Sequence, residues 1–313
     1  MAQHPRSILL ICALAAAGAA QAQNAIVDTL TFFKSTTVDS GYVPFQPADL
    51  VLLDDFSNGN PLVSAPRVDD GSQFGGTPFN YSVLDALQLP TEANGKLSIS
   101  ANASTAPVSQ SALGNPFYSY GVRLLTNANE STFGGNGKLL GLGKDSTWSV
   151  GATFAPLTPG IGANYQIRLT DRGIGTSAGD GNDILQLQVE GTAGGPLLRL
   201  LKQDFLAGTV NVLWAREIEF PAAAGEIRLG FAHLAADSNV INAYYSFFDG
   251  ENSLGGEAIE TTASIFSDEM LTRFELRAAV PVPEPSSVAM WSAGLLGVLA
   301  IVRARRRRGL ERE

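Results

Sequence analysis

The stretch Trp148-Ser149-Val150-Gly151-Ala152-Thr153-Phe154 decides the fold class of this chain. Trp148, Val150, Ala152 and Phe154 recur with period two, and Ser149, Gly151 and Thr153 take the positions between them. Side chains alternate faces along an extended strand, so the spacing predicts a strand with one face in a core and the other turned away. The pattern returns downstream. Tyr165, Ile167 and Leu169 alternate with Gln166, Arg168 and Thr170, and Leu185, Leu187 and Val189 with Gln186, Gln188 and Glu190. Ile227, Leu229 and Phe231 share a face around Arg228; Ile241, Ala243, Tyr245 and Phe247 share another that ends at the turn dipeptide Asp249-Gly250. Leu97 to Ile99, Tyr118 to Leu124 and Thr272 to Leu276 add further segments. No long amphipathic helix interrupts them. Strands separated by Gly, Asn, Pro and Asp loops predict an all-β fold of two packed antiparallel sheets, a sandwich.

Working outward, neither a repeat nor a second domain stands out, and residues 23–280 read as one β-sandwich ectodomain within the 313-residue chain. Residues 23 to 50 read as a loose lead-in or an edge strand. A hydrophobic fraction of 45% against 16% charged residues supplies material for a core and excludes a disordered chain. The net charge is −9, and Arg303, Arg305, Arg306, Arg307, Arg308 and Arg312 crowd the C-terminus, so the body is more acidic than the total. Such a body repels nucleic acid. Cys12, the single cysteine, lies near the N-terminus in a segment expected to be removed. That rules out a disulfide, a thiolate nucleophile or a cysteine-ligated metal in the mature chain.

Residues 1–22 carry His4 and Arg6, then an apolar stretch from Ile8 to Ala17, then Ala20-Gln21-Ala22. This is the layout of a secretory signal peptide, with cleavage by signal peptidase before Gln23 after passage through the Sec translocon. Near the other end, Val288 to Val302 is an uncharged run of fifteen residues, about 22 Å as a helix. With Ser286 and Ser287 it predicts a single transmembrane helix over 286–302, which snorkelling arginines can complete. The cluster Arg303, Arg305, Arg306, Arg307 and Arg308 places residues 303–313 on the cytoplasmic side of the inner membrane and the ectodomain outside.

Just before that helix stand Pro283, Glu284 and Pro285. Two prolines hold the backbone extended and withhold two amide donors, which keeps the segment out of the helix that follows. Residues 281–313 thereby resemble the PEP-CTERM family of sorting tails: the Pro-Glu-Pro motif, the apolar span and the arginine cluster occur in that order. The resemblance implies recognition and cleavage by an exosortase, a membrane-embedded processing enzyme of Gram-negative bacteria, and delivery to the cell surface or its extracellular matrix.

In the ectodomain, Leu53-Asp54-Asp55-Phe56-Ser57 and the run from Ala243 to Gly250 resemble the opening and late strands of concanavalin-like jelly rolls. The loop from Asp171 to Leu185 resembles, in its second half, one nonapeptide of the calcium-binding RTX repeat, with Gly181, Asp183 and Leu185 in phase and Ala178 in place of the first glycine. Two readings stand: Ca²⁺ held by Asp171, Asp180, Asn182 and Asp183, or a Gly/Asp turn that feeds the next strand. No other cofactor is expected.

Glu217 and Glu219 resemble the acidic pair of jelly-roll glucanases, but Glu219 stands where that signature has Asp and Ala222 occupies its third acidic position. The pair reads as a solvated strand face. His233, the one histidine beyond the leader, falls in phase with Ile227, Leu229 and Phe231 and reads as a hydrogen-bonded sheet residue. Trp148, in phase with Val150 and Phe154, reads as core, although it and Trp214 are the two tryptophans that a sugar-stacking platform would use. The Asn-x-Ser triplets at Asn80, Asn102 and Asn129 matter only in a eukaryotic secretory route. The expectation is therefore a non-catalytic surface or matrix protein that binds extracellular polysaccharide. An enzyme acting on matrix polymers and a purely adhesive protein are the alternatives.

Overall fold

The computed structural model describes residues 22–35, 49–61, 80–84, 89–106, 108–110, 116–125, 142, 146–171, 183–204, 208–261 and 272–282. The chain divides into a unit over Ala22–Pro281 and a second made of Met1–Gln21 with Val282–Glu313. Of the second unit only Val282 is among the described residues.

The first unit is all-β. Its strands are β1 (Gln23–Ser35), β2 (Leu50–Asp54), β3 (Asn80–Leu84), β4 (Thr91–Ala93), β5 (Lys96–Ala101), β6 (Val108–Gln110), β7 (Pro116–Leu125) and β8 (Thr147–Phe154). The second half adds β9 (Asn164–Asp171), β10 (Ile184–Thr192), β11 (Gly195–Asp204), β12 (Thr209–Glu217), β13 (Glu226–His233), β14 (Ile241–Asp249), β15 (Asn252–Thr261) and β16 (Thr272–Pro281). They form two antiparallel sheets, the first ordered β15-β14-β13-β8-β1-β5-β4 with β2 beside β1, the second ordered β12-β11-β10-β9-β16-β7-β3 with β6 beside β7. Each alternating segment of the sequence lies in a strand, with its apolar set turned inward. Trp148, Val150, Ala152 and Phe154 are buried, as are Tyr165, Ile167, Leu169, Leu185, Leu187 and Val189.

Those inner faces make one core shared by both sheets. Phe154 of the first sheet meets Tyr165 of the second with ring centroids 5.3 Å apart. With no cysteine in this unit, apolar packing carries the stability, at about 1.5–3 kcal/mol for each fully buried Leu, Ile, Val or Phe.

The segment expected to be a lead-in or edge is instead interior. β1 pairs with β8 along one side and with β5 and then β2 along the other. Its inward residues are Ala25, Val27, Leu30 and Phe32, so the phase changes between Val27 and Leu30, where the pairing with β8 shifts register between Val27 and Thr29. A bulge of this kind turns an odd-numbered apolar face into an even-numbered one and hides the strand from a period-two reading. At the far end of the chain order, β16 lies between β9 and β7 in the second sheet. The unit thus begins and ends in interior strands, not edges.

Turn chemistry matches the connections. Gly250, at φ +58°, opens the β14–β15 hairpin. The β4–β5 hairpin turns on Asn94 and Gly95, at φ +55° and +67°, the pair of left-handed residues that a two-residue hairpin of matching twist requires.

Candidate ligand-binding face

Alternation puts every second residue of the second sheet on its outer face. In β16, Phe274, Leu276, Ala278 and Val280 enter the core, so Glu275, Arg277 and Ala279 face the other way. In β9 the outer residues are Asn164, Gln166 and Arg168, and in β10 they are Gln186, Gln188 and Glu190. The register sets them in rows. Gln166 lies between Gln188 and Arg277, Arg168 between Gln186 and Glu275, and Asn164 between Glu190 and Ala279. Beyond β16, Glu275 pairs across to Arg123 and Arg277 to Gly121 on β7.

Two hydrogen-bonded networks flank β9. On one side Glu275 accepts from Arg123 Nε at 3.3 Å and from Arg277 Nε at 3.1 Å, and Arg277 Nη1 donates to Ser119 Oγ at 2.9 Å. The absent side chain of Gly121 permits this, since a Cβ there would stand 2.5 Å from Arg277 Cγ. On the other side Gln186 Nε2 donates to Gln188 Oε1, Gln188 Nε2 donates to Glu190 Oε2 at 2.8 Å, and Arg199 Nη1 reaches the same oxygen at 2.9 Å.

The outer face of an antiparallel sandwich is ordinarily solvated. Here Gln166 is 1% exposed, Glu275 4% and Gln188 5%. Between the two networks, Gln166 Oε1 and Asn164 Oδ1 are buried with no hydrogen-bond partner. A buried acceptor without a donor costs about 1–3 kcal/mol, and native structures rarely leave one without a water, an ion or a ligand to meet it. The face therefore combines fixed acceptors, amide donors and guanidinium groups.

Of the residues singled out in the sequence, Glu217 falls at the edge of this face, in one row with Leu197, Glu190 and Asn164; the others lie elsewhere. Asp183 forms an ion pair with Lys202 Nζ at 3.2 Å. Asp171 closes β9, with its side chain outside the described residues, as are Asp180 and Asn182. Among the described residues no group of three His, Cys, Asp or Glu side chains could hold a metal ion. Glu217 ends β12 and Glu219 follows it, both exposed.

His233 is fully buried, stacked on Trp148 with centroids 5.8 Å apart. Its Nδ1 lies 2.7 Å from the carbonyl oxygen of Ser146 and its Nε2 3.0 Å from that of Ser238, each able to accept a ring N–H. It thus ties the start of β8 to the β13–β14 connection. Trp214 is half-buried against Tyr245, 6.3 Å away, while Trp148 is in the core, so the two tryptophans share no platform.

Ala22 immediately precedes β1. Ala20, the motif residues Pro283, Glu284 and Pro285, the arginines from Arg303 to Arg308 and the apolar run from Val288 lie outside the described residues. Among the described residues no helix is long and apolar enough to cross a membrane. The polar face escaped the sequence reading because alternate Gln, Arg and Glu look like an ordinary wet surface. The one available signal was their recurrence in the same phase on successive strands.

The chain is thus a two-sheet antiparallel β protein with a polar, closed outer face on one sheet. Residues 281–308 match the PEP-CTERM protein-sorting motif, which implies an exported protein that an exosortase recognises. No curated protein matches the chain.

Proposed function

We propose that this is an exported surface or matrix protein of a Gram-negative bacterium, released from its inner-membrane tether by an exosortase, with a non-catalytic body that binds extracellular polysaccharide. The observation that carries the sorting part is the match over residues 281–308. It begins at Pro281, the last residue of β16, so removal beyond Pro281 leaves every strand among the described residues whole. The expected signal cleavage before Gln23 leaves β1 whole in the same way. Support for polysaccharide comes from the second sheet's outer face, where partnerless acceptors lie between two ordered donor networks.

Cell fractionation followed by C-terminal peptide mapping of the exported protein tests the sorting. A new C-terminus beyond Pro281 is expected; recovery of chains intact through Glu313 at the cell surface overturns processing.

A further inference from the structure

We infer that the outer face of the second sheet binds a neutral, hydroxyl-rich glycan laid across the strands from β12 to β9. This rests on the polysaccharide-binding reading above and adds the chemical class and the position. Along β9, Asn164 and Gln166 are one strand repeat apart, about 6.6 Å, and each holds a buried oxygen that has no donor among the described residues. A primary amide sets an acceptor oxygen beside a donor N–H₂, and a sugar hydroxyl both gives and accepts a proton, so adjacent hydroxyls meet both halves of each amide. A carboxylate only accepts and an ammonium only donates.

The register supplies the path. Glu217, Leu197, Glu190 and Asn164 form one row from β12 to β9, spanning three strand spacings, about 14 Å. Exposure falls along it: Glu217 is exposed, Leu197, Glu190 and Asn164 are half-buried, and Gln166, the next outward residue of β9, is 1% exposed. The face is therefore entered from the β12 edge, with Gln166 at its closed end. Leu197 offers an apolar surface in the middle of the row for the C–H face of a sugar ring.

Charge points the same way. Glu190 already accepts from Gln188 and pairs with Arg199, while Glu217 puts a carboxylate at the entrance. A uronic-acid chain would bring its own carboxylates against Glu217, and those carboxylates would give no proton to either orphan oxygen. A neutral glycan gives hydroxyl protons to Asn164, Gln166 and Glu217 alike.

The test applies the full chain, in micelles of a detergent without sugar headgroups, to a printed array of neutral and uronic-acid oligosaccharides. Thermal unfolding of each variant runs in parallel. Binding to neutral glycans is expected, about tenfold or more stronger than to acidic ones. Gln166→Leu is expected to weaken it about tenfold and to leave the unfolding temperature unchanged or raised, because it removes an unmet buried acceptor. Glu217→Ala, an exposed change at the entrance that leaves the fold intact, is expected to weaken it about threefold. Glu260→Gln, exposed on β15 of the first sheet, is expected to bind as the parent does.

Preference for acidic glycans overturns the neutral class and leaves polysaccharide binding standing. Neutral binding that survives both Gln166→Leu and Glu217→Ala overturns this face as the site and again spares the wider reading. A lowered unfolding temperature in Gln166→Leu would show that its amide is already bonded and overturn the inference. Binding to no glycan on the array overturns the inference and the binding reading together.

Discussion

The outer faces of the two sheets solve the same problem in opposite ways. On the first sheet the register aligns Gly151, Gly230 and Tyr244, and the Tyr244 side chain covers both glycines, so close that a Cβ on Gly230 would stand 2.1 Å from Tyr244 Cζ and one on Gly151 2.8 Å from its hydroxyl. The hydroxyl ends 3.2 Å from Ser149 Oγ. Burial raises the Tyr244 pKa above its usual value, and the Ser149 hydrogen bond opposes that rise. Nearby, the Arg228 guanidinium sits 4.8 Å above the Phe248 ring. Around Gly151 and Gly230 that face is covered by its own side chains, and the Tyr244 hydroxyl it buries has a partner.

On the second sheet, Gly121 likewise makes room, but for Arg277, and the result is a charged network beside two unmet acceptors. An aromatic ring over glycine completes a sheet surface; guanidinium and amide groups over glycine build a surface that still has bonds to make. The lesson is that a glycine under a large side chain marks a built surface, and the chemistry of the covering group tells whether that surface is finished.

Three substitutions probe this contrast. Glu275→Ala has the largest expected effect. It removes the buried carboxylate on which Arg123 and Arg277 converge, a loss worth about 3–5 kcal/mol when one partner of a buried ion pair is deleted. Chemical denaturation measures it, and a change under about 1 kcal/mol would mean that the second face is solvated after all.

Gly230→Ala comes next. The new methyl group displaces the Tyr244 ring, and overpacking of this kind costs about 1–3 kcal/mol. The same substitution in a Tyr244→Ala background should cost far less, and an equal cost in both backgrounds would show that the ring does not close the first face.

Arg216→Ala is the smallest. Its 2.6 Å ion pair with Glu257 is exposed on both partners, so a loss of at most about 0.5 kcal/mol is expected. An unfolding shift as large as that of Gly230→Ala would place the main support of the sandwich at its edge and not on its faces.

Legibility from sequence divided along physical lines. The strands around Trp148, Tyr165, Leu185 and Ile241 were readable because burial on one face of a pleated strand imposes period two on the residues themselves. β1 was not, because a bulge changes its phase between Val27 and Leu30. Asn94-Gly95 carried a strong hairpin signal that went unread. The sorting tail was readable because its physics is linear: prolines, an apolar run and arginines act in order along the chain and need no fold to bring them together.

The polar face was unreadable for the converse reason. Nothing in Gln166 or Arg277 alone distinguishes a buried outer face from a wet one, and only the register of β7, β16, β9 and β10 sets Arg277, Gln166 and Gln188 in one row.

By itself, then, the sequence determined the all-β class, most of the strands and the identity of the C-terminal sorting segment, since each is written in local periodicity or composition. Tertiary structure alone decided that the first and last strands are interior, that His233 and Trp148 are a packed pair, and that one sheet carries unmet acceptors. Those are contacts between residues distant in the chain, and their partners are chosen by cross-strand register, which no local pattern records.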